Sequence, residues 1–315
     1  MSRPRVLMLR PLGLGDLLTA VPAMRGVARA FPDHDRLLAA PAVLTPLAAL
    51  SGAIDRVVDV GPLQPLPPEC DEPDVAIDLH GRGPASHRLL LAARPWRLIA
   101  FANAQVSGTE RFPRWREAEH EVGRWCRLLS ENGIPADPSN LDLDPPPNAP
   151  PHFAVGATVI HPGAAYPARR WPPDRWVSVA AALGPNVVIT GARAERELGL
   201  RIGRAAGIDD ERIVAGRTDL LELAAIVATA RRVISTDTGI AHLATALRTP
   251  SVILFGPTPP SRWGPPPDRP WHRVLWKGRT GDANAMTPDP GLLAIGIDEV
   301  LTAAATLDSR MGATA

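Results

Sequence analysis

Only two cysteines, Cys70 and Cys126, occur in 315 residues. They stand far apart, with no CxxC and no cysteine–histidine ligand spacing, so neither a disulfide framework nor a zinc site organises the chain. A reducing cytosol is the natural setting. Long apolar runs are also missing, and no segment supplies the roughly 20 apolar residues of a membrane span. The N-terminal MSRPRVLMLRPLG leads straight into a strand, with an apolar core too short for a signal peptide. Excess charge is absent as well. Lysine plus arginine number 34 against 33 aspartates and glutamates, a net charge of +1, which argues against a general nucleic-acid binder. The positive charge is almost all arginine, with Lys277 the sole lysine.

What is present is an alternation of short apolar runs with helical patterns, the requirement of a parallel sheet with crossover helices. Strands are expected at 6–9, 37–40, 56–60, 75–79 and 98–101, with helices at 16–30 and 116–130 and an exposed proline-rich loop at 61–73. The segment DLDPPPNAPPHFA, 142–154, excludes helix and interior strand and is the expected linker. The rhythm then restarts: strands 158–161, 186–190, 232–235 and 251–255, and helices 174–183, 193–206, 219–230 and 239–247. Two α/β domains with Rossmann-like sheets facing a cleft are expected, 1–150 and 151–315. The last helix, near 298–307, is open to packing back on the first domain.

Ligands of open α/β sheets bind beyond the carboxyl ends of the strands, and three such loops stand out. In RPLGLGDLL, Gly13 and Gly15 permit a tight turn and close backbone approach, and Asp16 sits near a helix start. Leu18 stands where a dinucleotide fingerprint wants a third small residue, which weakens an NAD reading. Asp16 is either a helix cap or a general base facing a substrate hydroxyl. Arg10 is either an anion-orienting group or a solvated side chain. In HPGAAYPARRWPPDRW, Arg169 and Arg170 carry fixed charge suited to phosphate oxygens, while Trp171 and Trp176 read as packing residues. In STDTGIAHLATALRTPSVILFGPT, Thr238 and Gly239 open a helix whose free amides suit a diphosphate, with Asp237 and His242 bracing the turn. Glu195 and Glu197, in GARAERE, are alternatives for holding ribose hydroxyls.

Together, VLMLRPLGLGDLLTAVPAMRGV, IDLHGRGPASHRLL, IHPGAAYPARRWPPDRWVSVA and STDTGIAHLATALRTPSVILFGPT resemble the ADP-heptose:lipopolysaccharide heptosyltransferases, glycosyltransferase family nine. The resemblance spans most of the chain. It implies the two-Rossmann GT-B fold, with acceptor in the N-terminal domain and sugar nucleotide in the C-terminal one. It also implies metal-independent transfer with inversion, from a donor such as ADP-heptose to a hydroxyl of a glycan, glycolipid or antibiotic-like acceptor. Asp16 matches the family's base. Arg169 stands where the family often has a lysine, as a clamp on the departing diphosphate. Gly15, Arg170, Glu195, Asp237, Thr238, Gly239 and His242 fall on the donor side, and His80, Arg82 and His120 on the acceptor side. No DxD-type aspartate cluster appears where a metal would be needed, and no cofactor beyond the donor is implied. The expected setting is the cytoplasm, with peripheral contact at the inner face of the membrane left open. An epimerase or hydrolase of sugar nucleotides, or a non-catalytic module binding them, shares the same frame.

Overall fold

A computed structural model describes residues 3–311, with side chains through 307. The chain divides into two compact units, Met1–Asp144 and Pro145–Ala315, the break falling at the proline run.

The first unit runs β1 (Arg5–Leu9), α1 (Leu14–Ala30), β2 (Asp35–Ala40), α2 (Thr45–Leu50), β3 (Arg56–Asp59), β4 (Val75–Asp78), α3 (Ala85–Ala92), β5 (Arg97–Ile99) and α4 (Glu121–Ser130). Its strands form an all-parallel sheet in the order β3-β2-β1-β4-β5. A parallel sheet is covered on both faces, so its central strands are apolar along their length. RVLML and VAID satisfy this, and Val6, Leu7, Met8, Leu9, Ala76 and Ile77 are wholly buried.

The second unit runs β6 (Thr158–His161), α5 (Pro173–Leu183), β7 (Val187–Ile189), α6 (Arg196–Ala205), α7 (Leu220–Thr229), β8 (Arg232–Thr236), α8 (Gly239–Ala246), β9 (Ser251–Leu254), α9 (Pro260–Trp263), β10 (His272–Leu275), α10 (Pro290–Leu293) and α11 (Ile297–Met311). The order β10-β9-β8-β6-β7 is again parallel throughout. Trp171 and Trp176 pack edge to face, 5.0 Å between ring centroids, inside this unit's core, as packing residues should.

Four elements differ from the expectation or refine it. Helix α1 begins at Leu14, so Gly15 is its second residue and no turn residue; Gly13 caps it in extended conformation, φ −82° and ψ −178°. Helix α4 begins at Glu121 rather than 116, because His120 is its N-cap and accepts from the Val122 amide at 3.3 Å. The edge strand β10 was not expected. Helix α11 is seated on its own unit: Val300, Ala304 and Leu307 enter the second core, and the Ala304 carbonyl accepts from Arg232 Nη1 at 2.5 Å. Its apolar face therefore serves the second sheet.

Among the described residues no helix is long and apolar enough to cross a membrane. Both cysteines are free and buried, and burial pushes the Cys70 and Cys126 thiols up to about 11 and about 12.

Candidate active site

Each sheet has one place where the strand order reverses, and there the loops leave in opposite directions and open a crevice. In the first unit it lies between β1 and β4, and in the second between β6 and β8. The sequence places most of its candidate residues at these two points.

At the first point β1 delivers Arg10 and the N-terminus of α1. Asp16 is the third residue of that helix, and its Oδ2 accepts from the Gly13 amide at 3.1 Å, while Oδ1 lies 3.7 Å from Arg10 Nη2. A carboxylate in a first helical turn is favoured by the dipole. Its side chain keeps 29% of its surface open, so it can still meet a substrate hydroxyl. The capping and catalytic readings are thus compatible in geometry.

Arg10 is neither solvated nor free for an anion. It is 1% exposed; its Nε donates to the Asp16 carbonyl at 2.7 Å and Nη1 to the Leu79 carbonyl. Its Nη2 donates to Thr19 Oγ1 at 3.2 Å and Glu121 Oε1 at 3.1 Å. Glu121 in turn pairs with Arg124 and accepts from Trp125 Nε1 at 2.8 Å. With every nitrogen engaged, Arg10 fixes the end of β1, the start of α1 and the end of β4 to one another.

From β4 comes Asp78, wholly buried. One oxygen accepts from the His80 amide at 2.9 Å, and the other meets His87 Nδ1 at 2.7 Å. His87 Nε2 lies 2.8 Å from the Phe101 carbonyl. Burial pulls the His87 imidazole down, but the hydrogen bond and charge of Asp78 outweigh it and hold the ring above its ordinary value. His80 is held below its ordinary value, chiefly by burial, and its Nδ1 has no partner among the described residues. Asp16 and His80 thus belong to the same switch point. Arg82 and His120 are differently placed: Arg82 makes an exposed ion pair with Glu117 at 2.6 Å, and His120 caps α4.

At the second point β8 ends in Thr236, and Thr238 caps α8 with its backbone alone. The Thr238 hydroxyl turns back to the Thr236 carbonyl at 3.3 Å, leaving the first turn at Gly239 without a side-chain cap. Such a turn presents amides and the positive end of a dipole. Asp237 is buried, 4.0 Å from His242 Nε2, and burial pushes its carboxyl up to about 7 although the Arg169 charge opposes the rise. The His242 ring stands 5.7 Å from Trp263.

The loop after β6 carries both arginines. Arg169 reaches across to this corner, Nη1 donating to the Asp237 carbonyl at 3.4 Å, with its Nε buried and without a partner among the described residues. Arg170 folds back on its own loop, donating to the Ala164 and Ala165 carbonyls at 2.8 and 3.2 Å. Glu195 and Glu197 also separate. Glu197 is exposed on α6, whereas Glu195 is largely covered and lies 3.7 Å from His161 Nε2.

Sequence reasoning passed over Asp78, His87, Glu121, His161 and Thr190. One signal was available: VAID, TVIH and VVIT each end an apolar strand on a polar residue, at the edge where ligands bind. Among the described residues no three histidine, cysteine, aspartate or glutamate side chains cluster as a metal-binding set.

Comparison with known proteins gives concordant results. The family model of glycosyltransferase family 9 (heptosyltransferase) matches residues 105–279, more than half of the chain. Lipopolysaccharide heptosyltransferase 1 of Pseudomonas aeruginosa is 27% identical over 297 residues, covering 82% of this chain and 81% of the relative. Among solved structures, E. coli ADP-heptose lps heptosyltransferase II superposes with a TM-score of 0.78 at 21% identity, over 98% of this chain and 99% of that one. The E. coli heptosyltransferase WaaC with ADP gives 0.66 at 19%, over 97% and 98%. These likenesses give the two parallel-sheet units the GT-B fold.

Proposed function

The chain belongs to glycosyltransferase family 9, the heptosyltransferases, and from that premise we propose that it moves a heptose-like sugar from ADP-heptose to an acceptor hydroxyl, with inversion and without a metal. Asp16 takes the proton of the acceptor hydroxyl as its oxygen attacks the anomeric carbon and the bond to the diphosphate breaks. One in-line displacement inverts that carbon and releases ADP. The observation that carries the reading is the set of fixed donors at the β6/β8 switch point. Arg169 meets the start of α8, where Gly239 and its neighbours present amides for the charge that develops on the departing diphosphate. The charge borne by these groups takes the part a metal would otherwise play.

Asp237 fits the same picture. An ionised carboxylate beside a diphosphate would repel it, and burial keeps this one protonated up to about pH 7. His242 completes the corner, and Glu195 is the candidate for the ribose hydroxyls. Arg170 acts by holding its loop. On the acceptor side are His80, at the same switch point as the base, and Arg82 and His120 of the same unit. The acceptor class supported by the relatives is a lipopolysaccharide core, since the P. aeruginosa relative is a lipopolysaccharide heptosyltransferase. Such an acceptor would draw the enzyme to the inner face of the membrane as a peripheral protein.

The test is calorimetry against a panel of nucleoside diphosphates, followed by transfer assays in EDTA. ADP should bind and wild-type turnover should persist in the chelator. Asp16→Asn should lose transfer by at least ~100-fold while its affinity for ADP stays as in wild type. Binding of no nucleoside diphosphate removes the donor assignment, a requirement for added metal ends the metal-free mechanism, and undiminished transfer by Asp16→Asn removes the base.

A further inference from the structure

We propose that Thr190 and His161 are positioning residues that aim the Glu195 carboxylate at the ribose hydroxyls of the donor nucleotide. The inference rests on the nucleotide-sugar reading of this site and adds the residues that would make Glu195 selective.

Strands β6 and β7 pair in parallel with Ile160 opposite Ile189, so the next residues of each, His161 and Thr190, emerge side by side at the carboxyl edge. Thr190 is wholly buried, and its Oγ1 lies 3.0 Å from His161 Nδ1 and 3.4 Å from the Ile160 carbonyl. A hydroxyl gives one proton and also accepts, so Thr190 can meet either ring tautomer; the nearer acceptor for its own proton is Nδ1. Donation there leaves the imidazole proton on Nε2, the nitrogen 3.7 Å from Glu195 Oε2. The opposite tautomer would set a lone pair against the carboxylate, so Glu195 selects this form, and Thr190 accommodates it by donating to Nδ1. Burial holds His161 below its ordinary value even against the pull of Glu195, so the ring is neutral and orients the carboxylate without neutralising it.

Two further features confine Glu195. Its Oε2 accepts from the Ala192 amide at 2.7 Å. Its carboxylate also lies against the backbone of Gly163, where an added Cβ would overlap it. One oxygen is thereby fixed, while Oε1 has no partner among the described residues and the side chain keeps 18% of its surface open. A carboxylate held by one oxygen and open at the other suits hydroxyl donors, and a vicinal diol supplies two of them.

The experiment compares ADP with 2′,3′-dideoxy-ADP by calorimetry in wild type, Glu195→Ala, His161→Phe and Thr190→Val, each variant checked for a wild-type melting curve. Wild type should favour ADP by on the order of tenfold or more, and Glu195→Ala should abolish the preference. His161→Phe and Thr190→Val should each lose most of it, with affinity for the dideoxy nucleotide unchanged, an outcome that a packing role would not produce. If His161→Phe does not fold, Thr190→Val, nearly identical in shape, carries the test. A full ribose preference in the folded relay variants overturns the proposal. Wild type that binds ADP without any ribose preference overturns it too, and leaves the nucleotide reading standing. Failure to bind ADP at all removes the nucleotide reading and the relay together.

Discussion

Asp237 shows how burial alone can set the working state of one side chain. Its carboxyl moves from an ordinary 3.8 to about 7 because desolvation disfavours the charged form, and Arg169 recovers only part of the loss. Between these two values the unfolded chain gives up the proton while the folded chain keeps it, so folding becomes less favourable as pH rises through that window. The penalty is absent below about pH 4 and complete above about pH 7. Asparagine in place of Asp237 has nothing to ionise. The stability of Asp237→Asn relative to wild type should therefore increase from pH 5 to pH 8, as measured by denaturant midpoints at both values. A difference that stays constant across that range would mean that Asp237 is already ionised at pH 5. On the proposed donor assignment, the same protonated state would let a buried acid stand beside a diphosphate, and one proton would link stability to donor binding.

At the scale of elements, α4 owes its place to charge buried at its first turn. Glu121 accepts from Arg10 and Trp125 and pairs with Arg124, while Arg10 and Arg124 are 1% and 2% exposed. Removing one partner of a buried pair strands the other charges, at a cost of about 3–5 kcal/mol. Glu121→Ala should lose that much in urea or guanidinium unfolding, and Glu121→Gln, which keeps the acceptor oxygen, should lose less; equal small losses in both would show that the pairing adds little. The same helix marks where sequence reading stops. The strands were legible because apolar tetrads such as VLML and VILF have few other uses, and the loops after them because carboxyl ends of strands bind ligands. The start of α4 was not, since the residues before it are held out of helix by arginine side chains of α4 itself. Arg124 Nη2 donates to the Arg116 and Glu119 carbonyls at 3.3 and 3.0 Å, and Arg127 Nη2 donates to the Arg114 carbonyl at 3.1 Å. Arg10 looked solvated because the partner that buries it, Glu121, lies 111 residues away. Strand β10 escaped because HRVL is a four-residue edge strand that pairs only with β9 and leaves Arg273 half-buried and Val274 partly exposed. Local pattern carries strands and loops; it does not carry an ion pair that closes across the fold or a relay that joins two strands.

The whole molecule is two units, each with a core of its own, and the division of labour assigned to them can be separated physically. The second core is assembled from β6, β7, β8, β9, α5, α6, α10 and α11, all from Pro145–Ala315. Its last helix is seated on it through Val300, Ala304 and Leu307, so cutting the chain at the proline run removes no part of that core. The length is within the ordinary size of a domain that folds alone. Apart from Gly15, which lies in α1 of the first unit, every group assigned to the donor belongs to this second unit, from His161 at the end of β6 and Arg169 and Arg170 on the loop after it through Glu195 to Asp237, Thr238, Gly239 and His242. The fragment 145–315 should therefore fold cooperatively and bind ADP with an affinity within about threefold of the full chain, since the free energy of binding arises from contacts it retains. It should catalyse no transfer, because Asp16 and His80 are on the other unit. Circular dichroism and calorimetry on the isolated fragment decide the matter. A folded fragment that does not bind ADP would mean that donor binding needs groups from the first unit, and the assignment of donor to one unit and acceptor to the other would have to be abandoned.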